Sequence, residues 1–269
     1  MSSYVIGDVQ GCYDDLMLLL KKINFKKNKD TLIFCGDLVN RGGQSLKVLR
    51  WVYKHRQQCR VTLGNHDLSL LAQYYIPKLR KSRNLEFKKI FKAKDCEVLM
   101  NWLCHQNLLI DLKKYNSIIV HAGIYPKWTK KRALIEARRV ESKLIKNRIK
   151  FFKNMYGAKP NHWKHSLKGM DRTRFAINSF TRMRFLYKNS GLNFKAKGEM
   201  DNFPRLIPWF LFPQRVEVKL LIVFGHWSAL KLNYQANTLC IDTGKVWGGK
   251  LTAVKLKKSG LKSKHIYQV

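Results

Sequence analysis

Five apolar stretches of this sequence each run into a glycine-flanked cluster of side chains that bind metal ions well. They are "GDVQG" with Asp8 and Gln10, "GDLVNRGG" with Asp37 and Arg41, "GNHD" with Asn65 and His66, "HAG" with His121, and "GHW" with His226. Carboxylate, amide carbonyl and imidazole together suit divalent cations. Two such ions, held roughly 3.5–4 Å apart, form a hydrolytic centre that lowers the pKa of bound water from 15.7 toward about 7. A carboxylate between them is needed to offset their repulsion, and Asp37 is the expected bridge. His66, beside Asn65 in the same turn, is placed as a general acid or as a donor to a phosphoryl oxygen. Each residue alone has a plainer reading: Asp8 and Asp37 as turn aspartates, Asn65 as a turn residue, His121 as a core histidine after "SIIV", His226 as a neighbour of Trp227. Together those readings require five coincidences at five consecutive strand ends, and the metal reading requires none.

The elements that position these residues follow from the hydrophobic pattern. "SYVIGD", "DTLIFCGD", "CRVTLGNHD" and "NSIIVHAGI" read as strands, as do "VKLLIVFGHW", "TLCIDTG" and "KLTAVKL" later in the chain. Helical spacing marks "YDDLMLLLKKI", "QSLKVLRWVYKH", the stretch beginning at "LSLLAQYY", and "DCEVLMNWLCHQ". This alternation predicts an α/β chain whose ligands gather where the carboxyl ends of strands meet. Between about 127 and 213 the alternation lapses. "RALIEARRVESKLIKNRIKFFKNMYG" reads as helix, and the rest is aromatic and broken by Pro204, Pro208 and Pro213. This stretch is expected to be an insertion within a single domain, 1–269, covering the active-site edge of the sheet. The polar end from "KSGLKSKHIYQ" onward is expected to be loosely held.

With 53 Lys and Arg against 17 Asp and Glu, the formal charge is +36. The lysines are spread along the chain ("KKINFKKNK", "FKKIFKAK", "KLKKSGLKSK"), so the charge reads as compositional drift over the whole surface and not as a nucleic-acid arm. A field of this sign still attracts anionic substrates, with strong salt dependence. The six cysteines are scattered without a C-x-x-C pair, which argues against a zinc ribbon or a disulfide framework. No apolar run reaches the roughly 20 residues that cross a bilayer, and the start of the chain lacks a signal-peptide pattern. A cytoplasmic setting with no membrane and no obligate protein partner is expected.

The motifs resemble those of the calcineurin-like metallophosphoesterases. Longer stretches ("YVIGDVQGCYDDL", "KDTLIFCGDLVNRGGQSLKVLR", "LGNHDLSLLA", "IIVHAGIYPKW", "MYGAKPNHW", "NSFTRMRF", "FGHWSAL", "IDTGKVWGGKLTAV") are similar to the symmetrical bis(5′-nucleosyl)-tetraphosphatases of that superfamily. The similarity runs from about Tyr4 to Val254. It implies an α+β-type sandwich, a two-sheet metallophosphoesterase core flanked by helices. It implies cleavage of diadenosine tetraphosphate into two ADP with two divalent metal ions, cobalt or manganese being favoured and magnesium usable. Carried over by motif, Asp8, Gln10 and Asp37 hold the first metal, and Asp37, Asn65, His121 and His226 the second. His66 is the proton donor and Arg41 holds a phosphoryl oxygen, for which a planar guanidinium is suited. The resemblance also draws Arg182 and Arg184 of "FTRMRF", otherwise readable as a solvated helix face, toward the polyphosphate. Trp163, Phe180 and Trp209 are read as core and not as adenine stackers. Because such nucleotides also cap RNA, removal of nucleoside-tetraphosphate caps is a second implied activity.

Three positions depart from the superfamily pattern: Gln10 for its first histidine, Asn40 where protein phosphatases carry an aspartate beside the catalytic histidine, and Ser228 for a further ligand. The first two count against a serine/threonine phosphoprotein phosphatase, the principal alternative. A serine alkoxide needs a well-tuned acid to leave, whereas ADP ends in a phosphate whose second pKa is about 6. A basic nucleic-acid-binding protein on an inactive hydrolase fold is the alternative of another class.

Overall fold

The inner strands of this protein are short and apolar on both sides, and that decides how they stack. In the computed structural model, which describes residues 1–80, 84–258 and 265–269, the first sheet has β1 (Ser3–Ile6), β2 (Thr31–Phe34) and β3 (Cys59–Val61) in parallel. In the second sheet β4 (Leu109–Leu112) pairs antiparallel with β5 (Ser117–Val120). A small sheet is made of β6 (Phe185–Leu186), β7 (Leu192–Asn193) and β8 (Ile207–Pro208). Then β9 (Leu221–Phe224), β10 (Asn233–Gln235) and β11 (Thr238–Cys240) complete the second sheet in the order β10-β11-β9-β5-β4. Finally β12 (Thr252–Lys255) and β13 (Ile266–Gln268) extend the first as β13-β12-β1-β2-β3.

Alternate side chains of one strand enter two different cores. Val5, Ile33 and Cys35 of the first sheet pack with Ile110, Ile119, Val223 and Leu239 of the second, filling the space between the sheets. Their neighbours Tyr4, Ile6, Leu32, Phe34, Ile118, Val120, Ile222 and Phe224 point the other way, into the larger core under the helices. A strand buried on both faces reads as a continuous apolar run, which is why these strands were legible. Each fully buried aliphatic side chain contributes about 1.5–3 kcal/mol, enough for residue-long alternation to fix the register.

Among the described residues eight α-helices flank the sheets: α1 (Tyr13–Lys22), α2 (Ser45–Lys54), α3 (Asn65–Tyr75), α4 (Leu85–Phe91), α5 (Cys96–Cys104), α6 (Lys130–Lys146), α7 (Arg148–Asn154) and α8 (Gly169–Arg182). Four features differ from the sequence reading. Helix α3 begins at Asn65, three residues earlier than expected, because Asp67 accepts the Gly64 N–H at 3.0 Å and caps its first turn. Strand β4 lies between β3 and β5, so the ligand-bearing strand ends are not consecutive. Within 127–213, α8 is a regular helix with Phe175, Ala176 and Phe180 buried. At the end of the chain, residues 259–264 lie outside the described ones, but Ile266–Gln268 pairs with β12 as a strand. All six cysteines are free, and all but Cys12 are buried. Among the described residues no helix is long and apolar enough to cross a membrane.

Candidate active site

Six parallel strands of the two sheets deliver their carboxyl ends to one place. β1 leads to Asp8, β2 to Asp37, β3 to Asn65 and His66, β5 to His121, β9 to His226, and β11 to Asp242. Ligand atoms of Asp8, Asp37 and His121 lie within 4.8 Å of one another. Two glycines make this closeness possible. A Cβ on Gly225 would overlap the Asp8 carboxylate, and one on Gly64 would overlap that of Asp37. The glycine before one ligand thus makes room for the carboxylate of another strand.

The backbone is strained where it turns. Gln10, Asp37, Asn40, Arg41 and His226 all have positive φ, between 45° and 83°. Non-glycine residues in that region cost of order 1–3 kcal/mol each, and such strain concentrates at functional sites.

Orientation of these candidate ligands is set by second partners. His121 is fully buried and its Nδ1 lies 2.8 Å from the Cys35 carbonyl, which must accept a proton from it. That leaves the Nε2 lone pair facing Asp37 Oδ2 at 3.5 Å and the Asn65 amide at 3.2 Å. With its nitrogen turned inward, the Asn65 amide reaches His226 Nδ1 at 2.9 Å and Thr181 O at 3.1 Å. Turned over, it would present its oxygen to the same lone pairs. Two imidazole lone pairs, an amide and a carboxylate thus converge on one point, an arrangement of acceptors that a cation satisfies. The buried His226 Nε2 has no partner among the described residues.

Electrostatics make the same case. Asp8, Asp37, Asp67 and Asp242 are all buried here, in a protein with only 17 acidic residues and a charge of +36. Burial, and then the charges of Asp242 and Asp37, push the Asp8 carboxyl well above the usual range. Burial and Asp37 push Asp67 up to about 7, although backbone N–H groups of Gly64 and Leu38 hold its charged form. Burial raises Asp242 to about 6, against the Gly244 N–H and Arg184. Burial lowers both His121 and His226, the latter helped by the Arg184 charge, so both imidazoles are neutral and able to coordinate. Mutually repelling buried carboxylates beside neutral histidines fit divalent cations.

Above this floor opens a cleft of about 700 Å³, lined by Gln10, Asp37, Arg41, Asn65, His66, Arg182, Arg184, His226, Asp242 and Trp247 among others. Asp8 and His121 lie beneath it. Gln10 presents its Nε2 to Asp37 Oδ2 at 3.5 Å, so in this state it faces the cluster with a donor. Arg41 has no hydrogen bond or ion pair to the described protein, and its guanidinium lies over the Trp247 ring at 4.6 Å. Arg184 donates to the His226 carbonyl at 2.9 Å while its buried Nε lacks a partner among the described residues. Arg182, the last residue of α8, donates to Asn178 Oδ1 at 2.9 Å. Phe180 and Trp209 are buried and Trp163 is half-buried in the core.

His66 is held at both ends. Its backbone N–H donates to Asp37 Oδ1 at 2.8 Å. Phe87 N–H donates to Asn84 Oδ1 at 3.0 Å, so Asn84 Nδ2 faces Asn40 Oδ1 at 3.3 Å, and Asn40 Nδ2 faces His66 Nδ1 at 2.6 Å. This chain of amides makes His66 Nδ1 an acceptor and puts the proton of the neutral ring on Nε2.

Asp242, Asp67, Asn84 and Trp247 were not singled out as site residues by the sequence reading. For Asp242 the signal was present: "TLCIDTG" ends in the same strand-then-aspartate pattern as "YVIGD". For Asn84 there was none, because its role depends on α4 folding back onto the loop after β2.

The calcineurin-like phosphoesterase family model matches residues 1–230. Proteins named symmetrical bis(5′-nucleosyl)-tetraphosphatase are similar to the chain over nearly its whole length. That of Chromobacterium violaceum is 44% identical over 95% of this chain and 92% of its own. That of Xanthomonas axonopodis pv. citri is 46% identical over 97% and 84%. Among solved structures, one provisionally described as a diadenosine tetraphosphatase superposes with a TM-score of 0.66 at 20% identity, covering 100% of this chain and 92% of that one. A protein serine/threonine phosphatase from Saccharomyces cerevisiae superposes at 0.56 with 14% identity, over 100% and 79%. These structural likenesses concern the fold.

Proposed function

The chain belongs to the calcineurin-like phosphoesterases and, within them, to the symmetrical bis(5′-nucleosyl)-tetraphosphatases, and on that premise we propose that it hydrolyses diadenosine tetraphosphate at its centre to two ADP. The observation that carries this reading is the joining of two opposites in one cleft: a floor of buried carboxylates and neutral histidines, and a rim of arginines. The floor suits divalent cations; the rim suits a tetra-anionic chain.

Asp8, Asp37, Asn65, His121 and His226 would hold two divalent ions, manganese or cobalt, with Gln10 at the edge of the first. When bound, such ions polarise phosphoryl oxygens and make water acidic enough to supply hydroxide near neutral pH. The chain's own residues do the rest. Arg41, with no hydrogen bond or ion pair among the described residues, and Arg184, whose buried Nε has no partner among them, bind phosphoryl oxygens, and Arg182 extends that positive wall. Guanidinium groups positioned along the cleft stabilise the charge that grows on the transferred group, the larger part of catalysis in phosphoryl transfer. His66, with its proton on Nε2, donates to an oxygen of the reacting phosphates or of the leaving ADP. Because ADP leaves as a stable phosphate anion, the neutral Asn40 suffices behind His66 where an aspartate would be needed for an alkoxide. The stretch 127–213 supplies Arg182 and Arg184 and serves as an insertion over the active-site edge. Removal of nucleoside-tetraphosphate caps from RNA is a second activity of the same site, assisted by the overall charge, in a cytoplasmic setting.

The test offers diadenosine tetraphosphate and a serine phosphopeptide side by side with manganese present. Turnover of the dinucleotide supports the reading. Turnover of the peptide alone overturns it in favour of a phosphoprotein phosphatase.

A further inference from the structure

Of the seven tryptophans, Trp247 alone is exposed, at 64%. Exposure of an indole is normally avoided, and here it occurs at the rim of the active-site cleft. The loop that displays it is not loose. Gly244 and Gly248 take left-handed φ of 73° and 84°, which turns the chain tightly on either side of Lys245–Trp247. Trp247 N–H and Gly249 N–H donate to the Gly244 carbonyl at 2.9 and 3.0 Å, and Lys245 pairs with Asp15 at 2.7 Å. The same loop begins at Asp242, whose carboxylate accepts the Gly244 N–H at 3.1 Å. The indole is therefore held at a fixed distance from the acidic floor. One guanidinium, that of Arg41, lies over its ring and leaves most of it uncovered.

A rigid, exposed aromatic face next to an arginine assigned to phosphate is the arrangement that seats a nucleobase. Every base has a π-face, and stacking on an aromatic side chain tolerates its identity. Resting on the function proposed above, we infer that Trp247 is a stacking platform for one purine base of the nucleoside polyphosphate. Arg41 on the same indole reaches the phosphates attached to that base, so base and polyphosphate are registered by one Arg–Trp unit. Phe194 also lines the cleft, but it packs against the core with Arg182 over its ring at 4.7 Å. Each ring thus carries one arginine, but Phe194 is half-buried, and the more exposed Trp247 is the better platform.

The test compares the wild type with Trp247→Ala and Trp247→Phe in manganese. It reads KM for diadenosine tetraphosphate, and calorimetric binding of ADP and of inorganic pyrophosphate, which lacks a base. Stacking of one base predicts that Trp247→Ala raises KM and weakens ADP binding about tenfold. Pyrophosphate binding falls much less, and Trp247→Phe recovers most of the loss. Unchanged KM and ADP binding overturn the inference. So does equal weakening of ADP and pyrophosphate, since Trp247 would then act only by positioning Arg41. Absence of dinucleotide turnover in the wild type would instead be a failure of the proposed function, and ADP binding in the three proteins would still decide the role of Trp247.

Discussion

Replacing Asp242 with asparagine should make the metal-free protein more stable, and only above a certain pH. Asp242 is buried among Asp37, Asp8 and Arg184, and burial raises its carboxyl from 3.8 to about 6. The folded protein therefore retains a proton that the unfolded chain releases between pH 4 and 6. Stability linked to this group is fully present below about pH 4 and is lost as pH rises to about 6. At about 1.36 kcal/mol per pH unit, the rise from 3.8 to about 6 costs the metal-free native state about 3 kcal/mol at pH 7–8. Asparagine keeps the acceptor for the Gly244 N–H and removes the charge. In chelator at pH 8, Asp242→Asn should gain up to about 3 kcal/mol, or roughly 6–10 °C in melting temperature for a chain of this size. At pH 4 the two proteins should melt together. Comparing variant with wild type at each pH cancels the self-repulsion of the +36 surface, which both share. Manganese should shrink or reverse the gain, because the cations then compensate the carboxylate. The assay is thermal unfolding at pH 4, 6 and 8, with chelator and with manganese. A gain that is the same at every pH, or one untouched by manganese, would refute the view that this acidic floor is destabilising until a cation fills it.

Other outcomes follow from the same geometry. Asp37→Asn should lose about 10²–10³-fold in turnover with no fall in its metal-free melting temperature, since an amide oxygen can still accept the His66 backbone N–H and the charge that repels Asp8, Asp67 and Asp242 is gone; undiminished turnover would sink the two-metal scheme. Arg184→Ala should lower kcat/KM for diadenosine tetraphosphate by roughly 10–100-fold, read by steady-state kinetics; a change under twofold would show that its unpartnered Nε does not serve substrate. Gln10→His should tighten manganese binding by about tenfold in a metal titration, and identical affinity in both proteins would place Gln10 outside the ligand set.

The parts of this molecule legible in its sequence are those where one local rule is enough. Strands such as Tyr4–Ile6 and Leu221–Phe224 are buried on both faces, so their apolar runs announce them, and the candidate ligand after each strand is found by where the run stops. Asp8, Asp37, Asn65, His121 and His226 were accessible in this way. What remained hidden depends on distant chain segments meeting. Asn84 orients Asn40 only because α4 packs against α2. Asp242 ends an apolar run as the others do, but its place beside them comes from β11 running parallel to β9. Asn40 is a residue type that takes left-handed turns readily, but the second such turn, at Arg41, is imposed by the fold and no propensity of Arg signals it. Trp247 looked like any loop aromatic until the cleft wall was assembled around it.

The central claim is most directly tested by the products of diadenosine tetraphosphate hydrolysis in manganese, separated by anion exchange at early times. A cut at the middle of the chain yields ADP alone, two molecules for each substrate consumed. AMP and ATP in equal amounts would contradict the account, because the cleft would then be presenting an outer phosphate to the acidic floor.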